Sequence, residues 1–258
     1  MTNSDFIGKI GFMNIKSKKP VAVVTGGSKG IGAACCRALA AKGFVVGVNY
    51  RGDAQKAQAL LSEPDMDGFI LQADMSDIKS VENMVGEIQK KTGRVDVLVN
   101  NAGITINNTI LGMTIDEFDT QRSVMRGAWY LTKKILRLFM LRQSGGRIIN
   151  ISSITGHLGN PGQIPYTMEK GALDAMTKSL AKEFTGRNIL VNSVAPGFID
   201  TDMTRDLPEE IKNRMIRDVP LQRMGLPEEV AEVVAFLASH GSYINGTVIH
   251  VNGGNYGG

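Results

Sequence analysis

The stretch Val21-Ala-Val-Val-Thr-Gly-Gly-Ser-Lys-Gly-Ile-Gly32 decides the fold. Val21 to Val24 form a short apolar run of the kind that builds a buried strand. Gly26, Gly30 and Gly32 follow in a G-x-x-x-G-x-G spacing, and an alanine-rich helical stretch runs on from Gly30 to Lys42. Glycine lets the backbone turn tightly and approach a ligand closely. The helix start behind such a turn offers unpaired N–H groups and the positive end of its dipole, a ready seat for a pyrophosphate. Gly26-Gly-Ser28-Lys-Gly30 also fits G-x-S-x-G, the nucleophile elbow of serine hydrolases. That elbow needs an earlier strand–helix loop to complete its oxyanion hole, and only about 20 residues precede the strand. The pattern G-x-x-x-x-G-K-[ST] is absent, which argues against a nucleoside triphosphatase.

Working outward, strand and helix patterns alternate to the end of the chain. Strands are expected at 21–24, 44–48, 69–71, 95–99, 147–151, 189–194 and 247–251. Helices are expected at 30–42, 54–61, 78–91, 114–142, 166–184, 208–217 and 227–238. The strands are β-branched runs with little polar alternation, as suits strands buried on both faces. This alternation implies an α/β chain: a single-domain Rossmann fold, a doubly wound parallel sheet of about seven strands with helices on both faces. Residues 1–18 read as a flexible N-terminal extension and 19–258 as the domain. Ligands of such sheets bind outside the carboxyl ends of the strands, so the loops there are where chemistry is sought.

Composition excludes several classes. The net charge is +4, but residues 1–20 alone carry Lys9, Lys16, Lys18 and Lys19 against Asp5, so the domain lacks a basic surplus that would mark a nucleic-acid partner. No apolar run approaches membrane-span length, and the leader has no signal-type apolar stretch. Cys35 and Cys36 are adjacent and poorly placed to bridge, which fits a reduced, cytoplasmic setting. The three histidines, His157, His240 and His250, have no metal-ligand spacing with cysteines or carboxylates, so no metal is expected.

The second strand ends Val48-Asn-Tyr-Arg51. Dinucleotide folds that select NAD place a carboxylate there to bind the ribose 2′-hydroxyl, whereas a nearby arginine accommodates the 2′-phosphate of NADP. No carboxylate stands at this strand end; Arg51 and Lys29 are the candidate phosphate partners. The cofactor expected is therefore NADP(H).

Tyr166 and Lys170 are four apart in an expected helix and share a face. Reducing a ketone requires hydride at carbon and a proton for the developing alkoxide. A free tyrosine has a pKa of about 10, and a neighbouring ammonium stabilises its phenolate. Ser153 lies 13 residues before the tyrosine, with Ser152 as its rival for the hydrogen bond to the carbonyl oxygen.

Six landmarks occur in order: Thr25-Gly-x-x-x-Gly-x-Gly32, Asp74, Asn100-Asn-Ala-Gly103, Ser153, Tyr166-x-x-x-Lys170 and Pro196-Gly197. From about Lys19 onward the chain resembles the short-chain dehydrogenase/reductase family. Gly159-Asn-Pro-Gly-Gln163, Pro196-Gly-Phe-Ile-Asp-Thr201 and Val251-Asn-Gly-Gly254 resemble its 3-oxoacyl-acyl-carrier-protein reductases. The resemblance implies reduction of a 3-oxoacyl thioester in fatty acid synthesis. It assigns Ser153, Tyr166 and Lys170 to catalysis, with Lys170 also on the nicotinamide ribose, and Ser153, Gln163 and Tyr166 to substrate. It assigns Gly26, Gly27, Ser28, Lys29, Gly30, Ile31, Pro196 and Gly197 to the cofactor, Asp74 and Met75 to the adenine, and Asn101, Ala102 and Gly103 to its ribose side. Ile199 and Thr201 would hold the carboxamide, and Met203 falls in the segment where relatives often carry a substrate lid. It also implies a homotetramer, with Trp129, Tyr130, Leu131, Leu136 and Phe139 on a helix that packs against its twin. Arg126, Arg142 and Arg187 are a candidate docking surface for an acidic carrier protein. Reduction of acetoacetyl-CoA or another small ketone, and an NADP-binding sensor with little turnover, are the competing functions.

One landmark is missing. The family carries an asparagine in V-N-x-x-G that supports a proton relay, whereas this chain reads Arg122-Ser-Val-Met-Arg-Gly127, one residue short. A deletion inside a helix rotates all that follows by about 100°. An irregularity is expected near Val124–Gly127, and with it a weakened relay. His157 lies close to Ser153 in sequence, and ordinary loop placement is its expected role.

Overall fold

The computed structural model describes residues 16–143, 145–205 and 207–257, without the side chains of Thr185 and Met203. Residues 1–15 of the expected extension, and the Met203 side chain, lie outside that description. The backbone N–H groups of Lys16 and Ser17 already donate to the Thr92 carbonyl, 3.0 and 3.1 Å away.

Seven strands form one sheet: β1 (Val21–Val24), β2 (Val45–Tyr50), β3 (Gly68–Gln72), β4 (Val97–Asn100), β5 (Gly146–Ile151), β6 (Ile189–Pro196) and β7 (Val248–Val251). Their order is β3-β2-β1-β4-β5-β6-β7, and every pairing is parallel. The order reverses between β1 and β4, which opens the crevice where dinucleotides bind in doubly wound sheets.

Successive strand residues point to opposite faces, so each strand feeds two cores. Ala22, Val24, Val97, Val99 and Ile149 pack with α1 (Gly30–Ala40), α2 (Ala54–Leu61) and α9 (Pro227–Ser239). Val23, Leu98, Ile148 and Val191 pack with α3 (Ile78–Lys91), α4 (Ile115–Ile135) and the end of α6 (Ile164–Glu183). Burial on both faces explains why the strands read as unbroken apolar runs. Three further α-helices are α5 (Thr155–Leu158), α7 (Asp202–Arg205) and α8 (Glu209–Arg217). Cys35 and Cys36 are unbridged and buried in α1, and burial pushes the Cys35 thiol up to about 12. Among the described residues no helix is long and apolar enough to cross a membrane.

Helix α4 corrects one expectation. It is α-helical without a break across Val124–Gly127. The irregularity comes later, as a π-helical turn at Leu136–Met140, where the Leu141 N–H reaches the Leu136 carbonyl at 3.0 Å. Gly127 explains the difference. A Cβ there would overlap the Met75 carbonyl, so the helix is pinned at that point. The residues before Gly127 stay regular, with no bulge. Thr114 starts that segment with a capping box: its hydroxyl accepts from the Glu117 N–H while Glu117 accepts from the Thr114 N–H.

The apolar excess of α4 also has an internal explanation. Leu131, Leu136 and Phe139 are buried in the chain's own core, and the Tyr130 hydroxyl donates to Glu82 at 2.6 Å. Of the five residues singled out, Trp129 is the half-exposed one, with Lys133 Nζ 5.5 Å from its ring centroid.

Candidate active site

The carboxyl ends of β1, β4, β5 and β6 bring the landmark residues to one edge of the sheet. The loop after β1 is built around glycines that admit no side chain. A Cβ on Gly32 would overlap the Gly26 carbonyl oxygen and sit 2.6 Å from Asn101 Nδ2. Gly26 itself has φ +61, in the left-handed region that favours glycine. Lys29 is the N-cap of α1 yet makes no side-chain cap, and its side chain is exposed. The first N–H groups of that helix thus stay available to an anion, which is what a pyrophosphate needs. Ser28, Gly30 and Thr201 line a cleft of about 240 Å³ here, and Thr201 Cγ2 would lie 3.5 Å from a Cβ on Gly30.

Three residues hold this loop from behind. Asn49 accepts from the Gly26 N–H at 3.0 Å through Oδ1 and from the Gly27 N–H at 2.8 Å through its carbonyl. Its Nδ2 donates to the Leu71 and Ala73 carbonyls on the β3 side. Thr25 Oγ1 accepts from the N–H groups of Asn101 and Ala102 at 2.9 and 3.0 Å. Asn101 Nδ2 donates to the Thr25 and Gly26 carbonyls at 2.8 and 3.2 Å. The Asn101 side chain therefore braces the glycine loop, while exposed Gly103 borders Lys170, whose Nζ is 3.7 Å from a Cβ built on it. Asn49 and the loop-bracing role of Thr25 escape sequence reading. The one available signal was a polar residue inside an apolar strand.

The adenine end is set by β2 and β3. Arg51 is exposed just past β2, and Asp74 is half-buried past β3. Asp74 Oδ1 accepts from the Ser76 N–H and hydroxyl at 2.8 and 2.7 Å. Burial works to raise the Asp74 carboxyl, but these two bonds, with Arg51 nearby, hold it below the ordinary aspartate range. Met75 is buried beside it.

Ser153 and Ser152 separate cleanly. Ser152 is turned into the sheet, its N–H 2.8 Å and its Oγ 3.4 Å from the Val194 carbonyl. Ser153 Oγ accepts from the Thr155 N–H at 3.1 Å in the loop that leads to α5. Tyr166 sits in the first turn of α6, which starts two residues earlier than the sequence pattern implied because Pro165 is preset for a helical first turn. Lys170 is buried, its Nζ donates to the Ile151 carbonyl at 2.8 Å and lies 5.5 Å from the Tyr166 ring centroid. Beneath them Asn100 donates to Thr132 and Asn150, and Asn150 donates to Thr177, tying β4, β5, α4 and α6 together. Gln163 bridges Asn160 and Asn107 at 2.7 and 2.8 Å across the mouth of the site.

The loop after β6 closes the other side. Pro196 accepts from the Ile154 N–H, and a Cβ on Gly197 would come within 2.7 Å of the Asn252 Cα. Thr204 Oγ1 ties the Ile199 carbonyl to the Thr201 N–H at 2.7 and 3.0 Å. His157 contacts Asp174 at 2.9 Å and packs against His250 and Tyr256. Burial first, and His157 second, lower the His250 imidazole, with Asp174 opposing. Arg142 and Arg187 precede β5 and β6, at the amino edge of the sheet, so they share no surface with Arg126 near the site. Among the described residues no cluster of histidine, cysteine and carboxylates is fit to hold a metal.

A family model described as enoyl-(acyl carrier protein) reductase matches residues 26–255. The chain belongs to the short-chain dehydrogenase/reductase family. It is 44% identical over 240 residues to the 3-oxoacyl-[acyl-carrier-protein] reductase FabG of Staphylococcus aureus strain Mu50, covering 91% of this chain and 97% of that one. It is 43% identical over 249 residues to FabG of Aquifex aeolicus, covering 95% and 100%. For FabG of Haemophilus influenzae the identity is 42% over 240 residues, covering 92% and 98%. Family membership gives the parallel sheet and its order a common ancestry with these oxidoreductases.

Proposed function

We propose that this reductase uses NADPH to convert a 3-oxoacyl thioester, carried on acyl carrier protein, to the 3-hydroxyacyl thioester in fatty acid synthesis. The observation that carries the reading is the pairing of Tyr166 with buried Lys170 beside a serine, Ser153, that its neighbour Ser152 does not duplicate. The relatives named above are reductases of that substrate by name. The description of the family model names reduction of a C=C bond instead. The named relatives, matched over more than nine-tenths of this chain, favour C=O.

NADPH supplies the hydride when bound. Tyr166 donates its hydroxyl proton to the developing alkoxide, as general acid. Ser153 hydrogen-bonds the same oxygen and stabilises its charge. Lys170 Nζ lies 5.5 Å from the tyrosine ring centroid and would hydrogen-bond the nicotinamide ribose. The α1 N-terminus and the loop from Gly26 to Ile31 would seat the pyrophosphate, Lys29 and Arg51 would meet the 2′-phosphate, and Asp74 and Met75 would meet the adenine. Ala102, Gly103, Pro196, Gly197, Ile199 and Thr201 would enclose the remainder. Gln163 borders the substrate. The working form is a cytoplasmic homotetramer, which light scattering checks directly.

The test is NADPH oxidation with a 3-oxoacyl thioester of acyl carrier protein, with acetoacetyl-CoA and with no substrate. The carrier-linked thioester should give the highest kcat/KM. Tight NADPH binding without turnover on either would replace the enzyme by a sensor. Cofactor choice has its own check. Arg51→Ala should raise the KM for NADPH on the order of tenfold, the size of a lost charge-assisted bond, and leave that for NADH in place.

A further inference from the structure

Helix α4 lacks the family asparagine, and the residue three before Gly127 is Val124, apolar and buried. One turn earlier Gln121 faces inward, fully buried. Its amide makes three contacts. Oε1 accepts from the Ile106 N–H at 2.8 Å, and Nε2 donates to the Ile104 carbonyl at 2.9 Å and to Glu169 Oε2 at 2.6 Å. The first two pin the loop that continues from Gly103, the wall of Lys170. The third grips a carboxyl that directly precedes Lys170.

Glu169 is 7% exposed, and among the described residues no donor meets its Oε1. Its other oxygen is held by Gln121 alone, so a carboxyl sits buried in α6 with half of its hydrogen-bonding capacity unused. We propose that Glu169, held by Gln121, is a positioning residue for the reaction: a buried carboxyl whose charge state sets how strongly Lys170 acts on Tyr166. This rests on the functional reading above.

Burial is the largest influence on the Glu169 carboxyl and pushes it up to about 7, against the Gln121 hydrogen bond and the Lys170 charge. Lys170 is the charged group that acts on it. Helix α4 offers the neutral Gln121 amide, the loop after β4 offers backbone, and His157 of α5 is turned to Asp174. With Glu169 protonated, no negative charge adjoins the residue that neighbours Tyr166. Above that range the carboxylate offsets part of the Lys170 charge, so the phenolate left by proton donation is stabilised less and reduction slows.

Two measurements test this. Turnover of the wild-type reductase should fall about three- to tenfold as pH rises through the neutral range, and Glu169→Gln should lack that fall. Gln121→Leu should move it to higher pH, because the lost hydrogen bond favours the charged form. Difference infrared spectra of the protein without substrate should show a carboxylic acid band that disappears near neutral pH and is missing in Glu169→Gln. A fall that persists in Glu169→Gln, or no band titrating in this range in the wild type, overturns the proposal. The infrared titration needs no turnover. If no 3-oxoacyl thioester is reduced, the functional reading fails while the Glu169 titration still stands or falls alone.

Discussion

Replacing Tyr166 with phenylalanine lowers kcat for thioester reduction by about 10²- to 10⁴-fold, the span typical for loss of a positioned general acid. The change removes one oxygen and keeps the ring over which Lys170 Nζ sits at 5.5 Å. Lys170 keeps its bond to the Ile151 carbonyl, and α6 keeps its first turn around Pro165. Binding of NADPH, read by quenching of protein fluorescence or by nucleotide emission, should therefore change little. A large loss of turnover with retained binding assigns the oxygen to proton transfer. Equal turnover in both proteins would remove Tyr166 from the chemistry.

Gly32→Ala is expected to disable the cofactor loop. The added Cβ would overlap the Gly26 carbonyl and press on Asn101 Nδ2, which itself donates to that carbonyl. The first is backbone, and the second is a side-chain end fixed by its own hydrogen bonds. The carbonyl is held by a loop whose N–H groups are bound to Asn49, and Asn101 is tied to Thr25. Overpacking of this sort costs about 1–3 kcal/mol and sometimes more. If the loop opens, NADPH affinity should fall roughly 100-fold, since each 1.4 kcal/mol is a factor of ten. If it holds, the loss appears in the melting temperature instead. Nucleotide titration and thermal unfolding on the same sample cover both routes, and no change in either would refute the packing argument.

The architecture is legible in the sequence because both faces of the sheet are buried. Runs such as Val21–Val24 then carry no polar punctuation except at their ends, where the glycines and Asn100 mark the loops that hold the site. Local turn chemistry is less legible: α5 and α7 are four-residue helices in loops, too short for a periodic signal. The missing residue in α4 was visible, but its consequence was not. Whether a helix bulges or stays regular depends on what pins it, and the pin is the approach of Gly127 to the Met75 carbonyl across two elements distant in sequence. Gln121 and Glu169 escaped for the same reason. They are 48 positions apart and look like ordinary surface residues until α4 and α6 are packed together. Arg142 and Arg187 show the opposite error, since charge alone grouped them with Arg126, while strand direction separates them.

The central claim is that the proton goes to oxygen, from Tyr166, on a 3-oxoacyl thioester. The most direct measurement offers the reductase NADPH with equal amounts of a 3-oxoacyl and a 2-enoyl thioester of acyl carrier protein and identifies the products by mass. The account predicts the 3-hydroxyacyl thioester from the first substrate and an untouched enoyl chain. A saturated acyl product with the 3-oxoacyl substrate left unchanged would contradict it.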